Sequence, residues 1–130
     1  MKVITLKQPW APLVIEGYKK YEFRTWKTNY RGEVYIHAGK GIDKEALKRL
    51  ESLNLKYPQS KILGKVVIED CLELNDELNS KISKENPLVY GTKQHREGYA
   101  WKLGKVTKVN IEEEINGKLG LWEYKGECKK

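Results

Sequence analysis

Apolar and polar positions alternate through residues 2–7, with Val3 and Thr5 set against Ile4 and Leu6, the period-two signature of a strand. Pro9 and Pro12 follow. Both fit only the start of a helix, where a missing N–H leaves no bond unmade. Trp10, Leu13 and Val14 then recur at helical spacing, and Gly17 suits the left-handed conformation that ends such a helix. A second strand is predicted over residues 19–27. Tyr21, Phe23 and Thr25 form its natural core face, which puts Lys20, Glu22, Arg24 and Trp26 in a row on the other. Residues 29–32 read as a turn and 33–38 as a third strand, after which Gly39-Lys40-Gly41 breaks the pattern.

Asp43 is a good cap for a helix whose buried stripe is Ala46, Leu47, Leu50 and Leu53, ending near Leu55, with Ile42 stapled to Leu47 across the cap. Residues 57–60 are a loop, and 62–74 are strongly β-forming with Gly64 marking a bulge. A short helix over 76–82 is followed by a polar stretch, 83–97, that holds Pro87 and Gly91 and reads as a long irregular loop. Strands over 99–103 and 105–109 meet at Gly104. Residues 111–115 are acidic between two isoleucines, Asn116-Gly117 is a turn, and 119–124 form a last strand. Many short strands, two or three helices and no βαβ rhythm predict an α+β fold: a closed or nearly closed β-barrel of five to seven mostly antiparallel strands with flanking helices. One domain is expected over residues 1–125, with a polar tail over 126–130.

Composition narrows the function classes. The 130 residues are 39% hydrophobic, a globular proportion, and no apolar run is long enough to span a bilayer. The opening residues do not resemble a secretory signal, so a cytoplasmic location is expected. The two cysteines, Cys71 and Cys128, and the two histidines, His37 and His95, show no disulfide or metal-ligand spacing, so neither metal nor organic cofactor is expected. The net charge is +7. Residues 1–40 carry eight basic and three acidic side chains and residues 81–130 carry eleven and seven, around a slightly acidic middle. If the two basic ends meet, they make a face for a polyanion; otherwise they only keep the chain soluble.

The charged row on the second strand is the candidate site. Lys19 and Lys20 are solvated amines or phosphate contacts. Glu22 and Arg24 share a face, so they form a structural ion pair, or they accept from a base and clamp a phosphate through the guanidinium fork. Trp10 and Trp26 are core residues or stacking platforms, Trp26 being the one on the charged face; Trp101 and Trp122 are assigned to the core. Gln8 caps the first helix or helps to hold an anion at its start. His37 is a hydrogen-bonded wall residue or a general base. Lys93, His95 and Arg96 either line a closing loop or are ordinary surface.

Taken together, Gln8-Pro9-Trp10-Ala11, Gly17-x-Lys19-x-x-Glu22-x-Arg24-x-Trp26, Arg31-Gly32 and Ile36-His37-Ala38 resemble the ASCH domain, the activating signal cointegrator homology domain. Leu63-Gly64, Tyr99-Ala100-Trp101 and Gly117-Lys118-Leu119-Gly120-Leu121-Trp122 fit the same pattern. The resemblance implies a β-barrel related to the PUA fold and a cleft beside the first helix and the G-x-K-x-x-E-x-R segment. It also implies RNA or modified nucleosides as ligands. A bacterial branch of the family consists of acetylcytidine amidohydrolases that use a lysine, a threonine and a glutamate, and another member is described as a ribonuclease. Aligned on the glycine, that lysine falls on Lys19, but the threonine falls on Glu22, which argues against that mechanism here. Thr25 is expected on the opposite face, and Glu97 is a candidate for the glutamate. Three functions follow. The first is an RNA or nucleotide binder, monomeric, using Gln8, Trp10, Lys19, Glu22, Arg24, Trp26 and His37. The second is a hydrolase or ribonuclease with Lys19 and Glu22 catalytic, and the third is a protein-interaction regulator.

Overall fold

In the computed structural model, which describes residues 1–91 and 96–126, the alternating first segment forms β1 (Lys2–Gln8) and the proline-flanked segment forms α1 (Trp10–Ile15). The chain continues through β2 (Tyr21–Arg24), β3 (Gly32–Ile42), α2 (Lys44–Arg49) and a 3-10 turn (Glu51–Leu53) to β4 (Lys61–Glu73). Two helices, α3 (Asp76–Glu85) and α4 (Pro87–Tyr90), precede β5 (Tyr99–Lys108) and β6 (Leu121–Glu123). The strands form one six-stranded sheet in the order β2-β5-β4-β3-β1-β6. β1 and β3 run parallel, and the remaining pairings are antiparallel. The expected α+β architecture is present, with a PUA-like, barrel-like sheet that does not close through its ladder: β2 and β6 are its edges. A side chain curls it instead. Arg24 on β2 donates from Nη2 to the Thr5 carbonyl on β1 at 2.8 Å, linking strands that are far apart in the sheet order.

Several boundaries differ from the sequence pattern, each for a tertiary reason. β3 runs straight through Gly39-Lys40-Gly41. A Cβ at Gly39 would lie 2.8 Å from the Thr5 methyl, so the glycine serves the close approach of β1 rather than a break. β5 passes through Gly104 as one strand, absorbing register shifts against β4. The stretch over 83–97 is not wholly irregular. Asn86 accepts from Val89 N, and Pro87 opens α4 in its first turn, where proline is tolerated. Asp43 caps α2 as expected, accepting from Ala46 N at 3.1 Å, but Ile42 is 46% exposed at the end of β3. Asn54 in the left-handed region stops the 3-10 turn near the predicted end. Lys93, His95 and Cys128 lie outside the described residues.

α1 has too few residues to be stable alone, so packing holds it. It buries Ala11, Pro12, Leu13, Val14 and Ile15. Each large side chain so buried contributes about 1.5–3 kcal/mol. Gly64 gives Ile15 its seat: a Cβ there would lie 2.7 Å from Ile15 Cδ1. The expected bulge falls at the same place, where Ile36 pairs with Gly64 but His37 pairs with Ile62. A second cluster, with Leu13, Leu50, Ile82, Val89 and Tyr90, joins α1 to the other helices. A third, with Val3, Tyr35, Ile111, Trp122 and Tyr124, brings the C-terminal strand onto β1 and β3.

Candidate functional site

The local fold around β2 begins at the end of α1. Gly17 takes a φ of +84°, and the amides of Tyr18 and Lys19 both return to the Leu13 carbonyl, at 2.9 and 3.0 Å. This sharp turn directs the Lys19 side chain under the helix. There it is 4% exposed, with its Nζ 5.7 Å from the Trp10 ring centre and 5.0 Å from that of Phe23. The ammonium donates to the Tyr21 carbonyl and to Glu22 Oε1, the latter at 2.9 Å. Glu22 Oε2 accepts from Arg24 Nε at 3.0 Å. A carboxylate bridging two cations fixes both, and Arg24 is held at a third point by the Thr5 carbonyl.

This array forms one wall of a cleft of about 1110 Å³. Trp10, Phe23 and Tyr90 supply its aromatic lining, and Arg49 and Arg96 also line it. Arg96 packs over the Phe23 ring, its Cζ 4.6 Å from the centroid. It donates to Asn79 and Ser83 on α3 and to the Tyr90 carbonyl, so its position is built and not incidental. Arg49 is tied to the Leu88 and Val89 carbonyls. Burial pushes the Lys19 amine below its ordinary value; Glu22 opposes that shift, while Arg24 and Arg96 add to it. The cleft therefore concentrates positive charge in a partly desolvated place, where an anion is favoured.

Of the residues singled out in the sequence, Trp10, Lys19, Glu22 and Arg24 meet at this cleft. Trp26, Gln8 and His37 are not among its lining. β2 stops at Arg24, so the alternation does not carry to Trp26, which instead packs edge-on against Trp101 with centroids 4.8 Å apart. The same early stop lets Thr25 line the cleft, against expectation. Gln8 neither caps α1 nor faces the cleft; it is 1% exposed and donates to the Pro58 carbonyl. His37 is fully buried. Its Nε2 meets the Ile115 carbonyl at 2.6 Å, so Nε2 carries the proton, and Nδ1 accepts from Thr5 Oγ1 at 3.1 Å. That is a wall residue. Trp101 and Trp122 are core, as expected. The residues missed were Phe23, assigned to the core by alternation, and Arg49 and Tyr90. Arg96, expected either in a closing loop or as ordinary surface, lines the cleft. The one legible signal for it was an arginine just before the β5 pattern.

Among the described residues no group of histidine, cysteine or acidic side chains is placed to hold a metal, and no helix is long and apolar enough to cross a membrane. A PUA-like α+β domain, with a basic and aromatic cleft between its first helix and an edge strand, is the class these features define. The ASCH domain family matches residues 4–118, and the chain belongs to that family. Its similarity to curated proteins includes activating signal cointegrator 1 of Mus musculus, 35% identical over 81 residues, and of Homo sapiens, 33% identical over 81 residues. Each match takes in 53% of this chain and 14% of the relative, so the chain spans only a small part of those proteins. Among solved structures, the ASCH protein of Zymomonas mobilis superposes with a TM-score of 0.56 at 14% identity, over 88% of this chain and 72% of that one. A mutant of that protein gives 0.55 at 16% identity, over 88% and 74%. These likenesses establish the fold.

Proposed function

We propose that this domain binds RNA, or a nucleoside of RNA, in the cleft beside α1. The observation that carries the proposal is the immobilised guanidinium of Arg24. Glu22 and the Thr5 carbonyl engage Nε and Nη2, and Nη1 has no partner among the described residues. An arginine held this way has already lost its side-chain freedom and presents the N–H groups of Nη1 to a phosphate. Trp10, half-buried in the cleft lining, offers an aromatic surface for a base, and stacking contributes about 1–3 kcal/mol per base. Basic side chains along the cleft (Lys7, Lys19, Arg24, Lys40, Arg49, Arg96) outnumber the acids Glu22, Asp43, Glu45 and Glu97. The domain's family membership and the ligands its motifs imply agree with this chemistry.

Titration of a short single-stranded RNA at two salt concentrations tests the proposal. Affinity falls steeply as salt rises, and Arg24→Ala weakens binding about tenfold or more, the scale of a lost charged hydrogen bond. Arg24→Lys does not restore it, because a single ammonium cannot hold Glu22 and the Thr5 carbonyl and also keep the position of Nη1. Thermal unfolding of both variants, run alongside, separates lost binding from lost fold. Unchanged affinity in a folded Arg24→Ala protein removes the cleft from the account. The same samples read the hydrolase alternative, which the depressed Lys19 amine and the Thr25 hydroxyl in the cleft support. RNA and added acetylcytidine recovered intact would leave binding as the sole activity.

A further inference from the structure

A second hollow, of about 670 Å³, lies on the other side of Tyr90, the one residue that lines both it and the main cleft among the described residues. Three lysines converge on it from three elements: Lys20 just before β2, Lys81 on α3 and Lys102 on β5. Glu85 is the acid in its lining. Lys20 and Lys81 use their amines in no hydrogen bond or ion pair among the described residues, and Lys102 reaches only Glu69, at 4.0 Å. Two of these ammonium groups have no paired counter-charge among the described residues, and a polyanion supplies one. Tyr18, 41% exposed, adds an aromatic face to the same hollow.

The two hollows are in line along the chain. Lys20 and Tyr21 line the second, and Glu22, Phe23 and Arg24 line the first. The five residues from Lys20 to Arg24, four strand steps, span roughly 13 Å of extended chain, a distance that a few nucleotides of single strand cover. The residue shared by the two hollows is fixed, because the Tyr90 hydroxyl accepts from the amides of Lys20 and Tyr21 at 2.8 and 3.2 Å.

The geometry points to a single-stranded RNA as the ligand, rather than a free nucleoside: its base sits in the main cleft and its adjoining phosphodiesters cross Tyr90 into the lysine-lined hollow. This rests on the RNA-binding reading above and adds a second subsite to it. The test compares the wild-type domain with the triple variant Lys20→Ala, Lys81→Ala, Lys102→Ala. Each is titrated with a mixed-sequence RNA of about six nucleotides, within the span of about 4–16 nucleotides held by small single-strand binders, and with the four ribonucleoside 5′-monophosphates. All three lysines are on or near the surface, and thermal unfolding checks that the variant remains folded. The expected result is a tenfold or greater loss of oligonucleotide affinity and a log–log salt slope shallower by about 2, from about 0.7 for each lost phosphate contact. Mononucleotide binding is unchanged. Equal oligonucleotide affinity and slope in the two proteins overturns the second subsite and leaves the main cleft standing. Equal losses for oligonucleotide and mononucleotide also overturn it, since the lysines would then act on the cleft itself. A wild-type protein that binds neither overturns the parent reading and this one together.

Discussion

His37 shows how a residue suited to chemistry by type can be excluded from it by its surroundings. Thr5 Oγ1 lies between the indole N–H of Trp122, which donates to it at 3.1 Å, and the imidazole Nδ1 of His37, while Ile115 accepts from the other ring nitrogen. Burial pushes the imidazole below its ordinary value, and the Ile115 carbonyl opposes the shift only in part. The folded chain therefore binds a proton here less readily than the unfolded one, so the stability held by neutral His37 is present above about pH 6.5 and drains away as pH falls. The loss runs at up to about 1.4 kcal/mol per pH unit over the window between the two values. Denaturant unfolding of wild type and His37→Gln from pH 7.5 to 5 checks this: the wild-type curve drops more steeply than the variant's. Parallel curves would refute it. The sequence showed a histidine on a strand and left both roles open, because the deciding partners, Ile115 and Trp122, come from the far end of the chain.

At the scale of elements, β2 carries the main lesson. Its alternation predicts a strand through residue 27, yet pairing with β5 ends at Arg24 opposite Tyr99. The cause is Gly98, which sits at a φ of +100° against the end of β2. A Cβ at that position would fall onto the Arg24 carbonyl oxygen and lie 2.8 Å from Thr25 Cα. Gly98→Ala therefore combines backbone strain with a steric clash and is expected to destabilise the domain by about 1–3 kcal/mol in a denaturant melt. It also loosens Arg24 and weakens RNA binding. A variant as stable as wild type would show that the close approach is not needed. Most strands were legible along the chain, since period-two patterning is local, though the pattern split β5 in two at Gly104. Where each strand stopped was not, since Gly39, Gly64, Gly98 and Gly104 answer to neighbours distant in sequence.

At the scale of the whole molecule, an uneven charge pattern along the chain meets a basic cleft. The Lys19–Glu22–Arg24 wall and Trp10 could be read from a single contiguous segment, which is why that half of the cleft was legible. The rest was not. Arg49, Tyr90 and Arg96 arrive from α2, α4 and the approach to β5, and only the packing of the helices against β2 brings them to the same cleft. Thr5 lines the cleft and is hydrogen-bonded to His37 and Trp122, whose rings meet edge-on 5.6 Å apart. RNA in the cleft touches the Trp10 and Arg24 wall and leaves the buried His37–Trp122 pair undisturbed. The most direct measurement is an amide and indole N–H NMR titration of the labelled domain with single-stranded RNA. The predicted result is that the Trp10 indole and the amides of Lys19, Glu22, Arg24 and Arg96 shift together while the Trp122 indole and the His37 amide stay in place. Shifts confined to the His37 and Trp122 side, with the cleft resonances unmoved at saturation, would contradict it.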